Sequence, residues 1–144
     1  MAGMTDPRGS AGRGCVRQPR ILIAEDNPDL REVLIDALTD AGYEVGEASN
    51  GLEALARAEA WLPDAILLDL MMPGMDGADF LRARRERPFL ARVPVMVLTA
   101  HPFHHRMLDG LGATVVIRKP YNLDELLDAV ATMCAGETSQ EDAC

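Results

Sequence analysis

Five side chains able to do chemistry stand at the ends of short apolar runs in this sequence. They are Glu25, Asp26, Asp69, Thr99 and Lys119. If the runs are parallel strands of one open sheet, their carboxyl ends share an edge, where ligands usually bind. Three crowded carboxylates repel one another, so ionising all of them requires a compensating cation. Oxygen ligands with room for water suit Mg²⁺ or Mn²⁺, so we expect one of these ions here.

The same set of residues permits phosphoryl-transfer chemistry. A carboxylate such as Asp69 can be the nucleophile and become an aspartyl phosphate. Lys119 can pair with Asp69 while the site is empty and with a phosphoryl oxygen once it is filled, and Thr99 offers a hydrogen bond to the same group. Lys119 is the one lysine beside thirteen arginines. A compact ammonium differs from a wide guanidinium fork, so we expect this position to require lysine.

Apolar runs alternate with amphipathic stretches from residue 20 onward. Strands are predicted at residues 20–25, 43–48, 64–69, 93–99 and 114–118. Helices are predicted up to Gly42, over 51–61, from Phe80 to a stop before Pro88, and after the capping residue Asn122. Segment 101–112 leaves room for only a short helix. This alternation is typical of an α/β fold with a parallel sheet, helices on both faces and right-handed crossovers.

Helical spacing assigns a core-facing side to three of the predicted helices. The first is expected to bury Leu30, Val33, Leu34, Ala37, Leu38 and Ala41. The second is expected to be built on Leu52, Leu55, Ala56 and Glu59. The last is expected to bury Leu123, Leu126, Leu127, Val130, Ala131 and Cys134.

Composition and charge limit the class of protein. The 144 residues are enough for one domain, and 48% of them are hydrophobic. The longest apolar runs fall far short of the roughly 20 residues of a membrane span, and no signal peptide is recognisable, so we expect a cytoplasmic protein without membrane contact. A net charge of −9 disfavours direct binding to nucleic acid. Three cysteines without a pairing framework suit a reducing compartment.

Three segments are predicted: a disordered basic leader at 1–19, a folded domain at 20–134 and an acidic tail at 135–144. Residues 1–20 hold four arginines against one aspartate, a balance of +3, which leaves −12 for the remainder. Nothing after residue 135 is long enough for a DNA-binding or enzymatic output domain. We therefore expect a stand-alone domain.

Four motifs in order make the chain resemble a response-regulator receiver domain of two-component signalling. They are the run from Ile21 to Pro28, the segment from Asp69 to Gly77, Thr99-Ala100 and Lys119-Pro120. The resemblance covers about residues 20–134. It implies a flavodoxin-like (βα)5 fold, a doubly wound five-stranded parallel sheet in the order 2-1-3-4-5.

The resemblance also implies roles for individual residues. Asp69 would be the phosphoacceptor, and Glu25 and Asp26 would hold the metal together with Asp69 and the backbone carbonyl of Met71. Thr99 and Lys119 would each contact a phosphoryl oxygen. The bond before Pro120 is usually cis in this family. The partner implied is a sensor histidine kinase or a histidine phosphotransfer protein.

The sequence departs from the family pattern in two places. The aromatic residue that usually couples to the threonine hydroxyl is replaced by Val116, so the usual switch is in doubt. The interval from Thr99 to Lys119 is about two residues short, and it contains His101, His104 and His105, which are more simply exposed loop residues than a metal site. Tyr121, where the family often has Phe, is expected to pack.

Two functions from different classes follow. The first is a single-domain response regulator that accepts a phosphoryl group on Asp69 and then signals by protein contact or passes the group on in a phosphorelay. It would not be an enzyme beyond its own phosphorylation and dephosphorylation. The alternative is a binding module that does not switch by phosphorylation, which Val116 and the short fourth segment favour. A phosphatase is disfavoured, because Met71 stands where such enzymes generally place a second acidic residue.

Overall fold

A computed structural model describes residues 18–70, 72, 75, 77–100, 110 and 112–138, with side chains in the last range described as far as Cys134. Several predictions concern residues outside these ranges. They are the basic leader up to residue 17, the carbonyl of Met71, the end of the acidic tail, the short fourth segment and the three histidines His101, His104 and His105.

Five parallel strands form the single sheet of the described residues. They are β1 (Arg20–Ala24), β2 (Glu44–Ala48), β3 (Ala65–Asp69), β4 (Val95–Thr99) and β5 (Val115–Arg118). Their order is β2-β1-β3-β4-β5, which confirms the predicted flavodoxin-like α/β topology. The central strands β3 and β4 are buried along their whole length, as expected of strands covered on both faces.

Four helices and a short 3-10 turn accompany the strands among the described residues. They are α1 (Pro28–Asp40), α2 (Gly51–Trp61), α3 (Gly77–Arg85), the 3-10 turn (Leu90–Arg92) and α4 (Leu123–Thr138). Asparagine side chains accept backbone N–H hydrogen bonds at the starts of α1, α2 and α4. These caps satisfy donors that the helix itself leaves unpaired. None of the described helices is long and apolar enough to cross a membrane.

Two apolar cores lie on opposite faces of the sheet. One joins the sheet to α2 and α3 and includes Leu55 and the fully buried Phe80. The other joins the sheet to α1 and α4 and includes Leu34, Leu38 and Val130. Both faces are therefore covered, and the residues that leave the carboxyl ends of the strands are held from both sides.

The predicted core faces of α1 and α2 were partly wrong. Leu34 and Leu38 are buried on α1, but Leu30 and Val33 are exposed. On α2, Leu55 is buried, while Leu52, Ala56 and Glu59 are exposed and Ala54 and Ala58 form the contact instead. Small residues let this helix approach the sheet closely, and a count of large apolar residues does not detect that choice.

The final helix also differs from its prediction. Leu126, Val130 and Cys134 are buried as expected, but Ala131 is exposed and Met133 is buried in its place. The helix continues to Thr138. It therefore runs four residues past the boundary predicted at residue 134.

Leu62 ends α2 in a conformation that L-amino acids avoid. Its φ of 55° and ψ of 68° are left-handed, and its N–H donates to the carbonyl of Ala58. Glycine normally occupies this position at a helix end because it has no Cβ to clash. The Leu62 side chain is exposed and so recovers little burial energy in return.

We predict that Leu62→Gly stabilises the protein by about 0.5–1 kcal/mol, because relief of the left-handed strain exceeds the entropy that glycine adds to the unfolded chain. Urea unfolding of the two proteins measures this difference. Leu52→Gly, at another exposed leucine that lies in the first turn of the same helix, is the control, and it should lose stability. Loss of stability in both variants would show that Leu62 has packing that outweighs its strain.

Candidate functional site

The predicted site residues converge at the carboxyl edge of the sheet. Glu25 follows β1, Asp69 ends β3, Thr99 ends β4 and Lys119 follows β5. Strand β1 lies between β2 and β3, so the direction of winding reverses beside Glu25. Such a reversal opens a crevice in an open α/β sheet, and the site lies at that point.

The carboxylates of Glu25, Asp26 and Asp69 form one cluster. One oxygen from each lies within 4.8 Å of the others. Glu25 is 2% exposed and Asp69 is 4% exposed, whereas Asp26 is open to solvent. The cluster therefore has two buried members and one that faces an incoming ligand.

Lys119 supplies the counter-charge to this cluster. Its Nζ lies 3.1 Å from Oδ1 of Asp69 and donates a hydrogen bond to it. The backbone N–H of Lys119 donates to the carbonyl oxygen of Thr99 at 2.8 Å, which ties the lysine to the end of β4. The peptide bond between Lys119 and Pro120 is cis, as the family resemblance implied.

Burial changes the acidity of Glu25. Removal from water raises the pKa of its carboxyl to about 7, and the negative charge of Asp69 contributes in the same direction. Its Oε2 accepts a hydrogen bond from the N–H of Asn27 at 3.2 Å, but its Oε1 is buried without a donor. A proton shared with the neighbouring Asp69, a cation or an ordered water would satisfy that oxygen.

These features fit a hard divalent cation. Glu25, Asp26 and Asp69 offer oxygen ligands, as Mg²⁺ and Mn²⁺ prefer, and the exposed side of Asp26 leaves room for retained water. A cation would also offset the repulsion that raises the pKa of Glu25. The acidic cluster could therefore bind a metal.

Close backbone packing holds the chain after Asp69. A Cβ added to Gly77 would lie 2.8 Å from the Cα of Leu70, too close for any side chain. The N–H of Gly77 donates to the carbonyl of Leu70 at 2.9 Å, and the N–H of Leu70 donates to the carbonyl of Leu98. Glycine at position 77 lets α3 begin directly against the end of β3. This close contact fixes the position of the backbone at Asp69.

Sequence reasoning missed the position of Tyr121 relative to the site. Its ring is half-buried against the core beneath α1 and α4, as the packing prediction stated. Burial raises the pKa of its hydroxyl, and the charges of Glu25 and Asp69 raise it further, so the ring stands within electrostatic reach of the acidic cluster. In the sequence, its position directly after Lys119-Pro120 was the signal that could have placed it near the site.

Val116 occupies the position where the family usually has an aromatic residue. It lies on β5 opposite Val97 of β4 and packs half-buried against the core shared with α2 and α3. A valine there has no ring that can move between an outer and an inner position.

We predict that stability without metal falls as the pH rises from about 5 to 8, because Glu25 keeps its proton in the folded state up to about pH 7 but loses it near 4.5 when unfolded. The folded state binds the extra proton in that window, so the stabilisation present at low pH is lost above it. The loss attributable to Glu25 is roughly 3 kcal/mol. Urea unfolding of wild type and Glu25→Gln across this range measures it.

The difference in stability between wild type and Glu25→Gln at each pH separates the effect of Glu25 from that of the other carboxyl groups. The exposed glutamate Glu32, changed to Gln, serves as the control and should follow the wild-type curve. Parallel curves for wild type and Glu25→Gln would contradict the prediction.

The fold and the acidic cluster define the class: a flavodoxin-like domain with a carboxylate site at the switch point of its sheet. The family model described as "Response regulator receiver domain" matches residues 21–131. The chain therefore belongs to the response regulator receiver family.

Individual relatives agree with this assignment. The chain is 40% identical over 120 residues to the transcriptional regulatory protein TcrA of Mycobacterium tuberculosis, covering 80% of this chain and 46% of that protein. It thus spans about half the length of TcrA. It is 34% identical to the sporulation initiation phosphotransferase F of Bacillus subtilis, covering 77% of this chain and 90% of that protein.

A solved structure shows the same fold with an occupied site. The receiver domain of the sensor histidine kinase PA1611 from Pseudomonas aeruginosa PAO1 has a TM-score of 0.76 and 30% identity, covering 82% of this chain and 98% of that chain. That domain carries a magnesium ion coordinated in its active-site cleft.

Proposed function

We propose that Asp69 accepts a phosphoryl group from a phosphohistidine, carried by a sensor histidine kinase or a histidine phosphotransfer protein. The modified chain then signals by contact with a protein target or passes the group on in a phosphorelay. The observation that carries this proposal is the hydrogen bond from Lys119 Nζ to Asp69 Oδ1 at 3.1 Å, beside carboxylate oxygens clustered within 4.8 Å.

The transfer forms one bond and breaks one bond. A carboxylate oxygen of Asp69 attacks phosphorus, the phosphorus–nitrogen bond of the donor breaks, and the electron pair stays on the imidazole nitrogen. Lys119 shifts its hydrogen bond from Asp69 to a phosphoryl oxygen, and the Thr99 hydroxyl donates to another. Fixed donors aimed at the transferring group lower the barrier because their orientation is set by the fold.

Glu25, Asp26 and Asp69 would hold Mg²⁺ or Mn²⁺, with the carbonyl of Met71 as a further ligand. A bound divalent ion supplies positive charge that neutralises the phosphoryl oxygens. Without it, a phosphoryl group would meet three carboxylates and only one ammonium. The reaction should therefore require the ion.

The relatives support the relay form and a histidine-kinase donor. Similarity to a phosphotransferase over 90% of its length supports the relay form, and similarity to the receiver domain of a sensor histidine kinase supports a donor of that class. The net charge of −9 supports a protein target over direct contact with nucleic acid. We place the protein in the cytoplasm as a regulator, with no enzymatic activity beyond its own phosphorylation and dephosphorylation.

Covalent phosphorylation tests the proposal. The protein is incubated with acetyl phosphate and Mg²⁺ and its intact mass is read, beside parallel samples that contain a chelator. A phosphoryl adduct is expected in wild type with Mg²⁺ and in the exposed-site control Asp36→Ala, but not in Asp69→Ala. An adduct that persists in Asp69→Ala would place the phosphoacceptor elsewhere.

A second candidate function follows from Val116. A receiver-like module that binds its partner without phosphorylation would keep this fold and lack the usual aromatic switch. A folded protein that binds Mg²⁺ and forms no adduct with acetyl phosphate or with a phosphorylated histidine kinase would support that alternative.

A further inference from the structure

The turn between α3 and β4 exposes an aromatic side chain among arginines. Phe89 is 75% exposed, the largest exposed fraction among the described large apolar residues. Arg85 and Arg92 flank it in sequence and are also exposed. Residues 82–92 carry five arginines and one glutamate, a local charge of +4 in a chain of net −9. We name Arg85, Phe89 and Arg92 the basic turn.

Buried contacts fix the conformation of this turn from within. Leu90 is fully buried beneath it. Arg84 is also buried, and its Nη2 donates to the carbonyls of Ala91 and Val93 at 3.2 and 2.7 Å. No described carboxylate pairs with Arg84, and among the described residues its guanidinium is held by these two carbonyl groups. The turn is therefore held so that Phe89 points outward, although nothing in the described residues covers it.

A complementary surface lies on α1. Val33 is 52% exposed and Leu30 is 41% exposed. Asp29 and Asp36 stand four residues before and three residues after Val33, and all three are exposed, so they share one outer side of the helix. No described ion pair involves either aspartate. We name Asp29, Leu30, Val33 and Asp36 the acidic face.

These two surfaces cannot meet within one molecule. The acidic face is on α1, which covers one side of the sheet together with α4. The basic turn precedes β4, at the amino ends of the strands, and follows α3, which covers the other side. Contact between them must therefore join two molecules.

We propose that the basic turn of one copy binds the acidic face of a second copy, head to tail. Phe89 would pack against Val33 and Leu30, while Arg85 and Arg92 pair with Asp36 and Asp29. In a pair, one copy keeps its acidic face unused and the other keeps its basic turn, so the contact is heterologous and can extend beyond a dimer. It requires neither phosphorylation nor metal and so does not depend on the function proposed above.

The charge distribution sets the conditions for this contact. Two copies of net charge −9 repel at low ionic strength. At physiological salt the screening length is about 8 Å, so the overall repulsion is screened more than the adjacent pairs at the interface. The surfaces are small, so the association is at the weak end of specific interfaces.

Sedimentation analysis at physiological salt tests the proposal from about 10 µM to 1 mM protein. Two surface variants are compared with wild type: Phe89→Ser with Arg92→Glu, and Val33→Ser with Asp36→Arg. Wild type should form species larger than a dimer as its concentration rises. Each variant alone should stay monomeric, with its dissociation constant raised by at least about tenfold.

An equal mixture of the two variants is the decisive sample. One retains the acidic face and the other retains the basic turn, so the mixture should form a dimer and nothing larger. Leu52→Ser, which removes an exposed leucine of α2 outside both surfaces, should associate as wild type does. A monomeric wild type, a variant that associates alone or a monomeric mixture would each overturn the proposal.

Discussion

Asp26→Asn is expected to lower the affinity for Mg²⁺ by about 100-fold while leaving the protein folded. Asp26 is the exposed member of a cluster whose oxygens lie within 4.8 Å of one another, so its removal takes away a ligand without opening the core. The metal-free variant should be more stable than wild type, because one of three mutually repelling charges is gone. The variant should therefore bind Mg²⁺ more weakly and yet be more stable without it, whereas misfolding would lower both the affinity and the stability.

Calorimetric titration with Mg²⁺ measures the affinity, and urea unfolding with and without the ion measures the stability. Asp36→Asn makes the same chemical change on an exposed aspartate of α1, and it should bind Mg²⁺ as wild type does. Trp61 is a poor reporter for this experiment, because it packs against Gly46 on β2, away from the acidic cluster. Equal Mg²⁺ affinity in wild type and Asp26→Asn would remove Asp26 from the metal site.

Lys119→Met is expected to slow phosphorylation of Asp69 by about 100-fold or more, the usual effect of removing one fixed donor from a developing charge. The same change should destabilise the metal-free protein by roughly 2 kcal/mol at pH 7.5, because the lysine is partly exposed and the loss is that of one charged hydrogen bond. Asp69 is 4% exposed and its Oδ1 accepts from Lys119 at 3.1 Å, so the variant leaves a buried carboxylate without that partner. Added Mg²⁺ should restore much of the stability but not the rate.

The rate of adduct formation from acetyl phosphate and the urea midpoint give the two readings. Arg118→Met removes one positive charge from the adjacent residue, whose side chain is exposed, and it should change neither reading appreciably. A Lys119→Met variant that is phosphorylated at the wild-type rate would show that the ammonium serves structure alone.

The sequence was sufficient to predict the sheet and the site because both depend on local signals. A strand buried on both faces is a continuous apolar run, and β3 is such a run ending in Asp69. Parallel strands place their carboxyl ends at one edge whatever the details of packing. The convergence of Glu25, Asp69, Thr99 and Lys119 therefore followed from the parallel direction of the strands, and the structure places these residues at that edge.

The tertiary structure decided which side of a helix is buried and how the pKa of a site carboxyl is shifted. Which side of α2 faces the sheet is set by how closely a helix of alanines can approach, so Leu52 is exposed although its spacing suits a core position. The pKa of Glu25 is raised to about 7 because folding excludes water from it and also brings Asp69, 44 positions away in sequence, beside it.

The basic turn and the acidic face also depend partly on the sequence and partly on the tertiary structure. The arginines of residues 82–92 were visible in the sequence, where a solvated helix face was the simpler interpretation. Only the fold shows that Arg84 is turned inward to hold the loop, while Phe89 is turned outward. Sequence periodicity determines which residues can share a face, and long-range packing determines which of those faces remain uncovered.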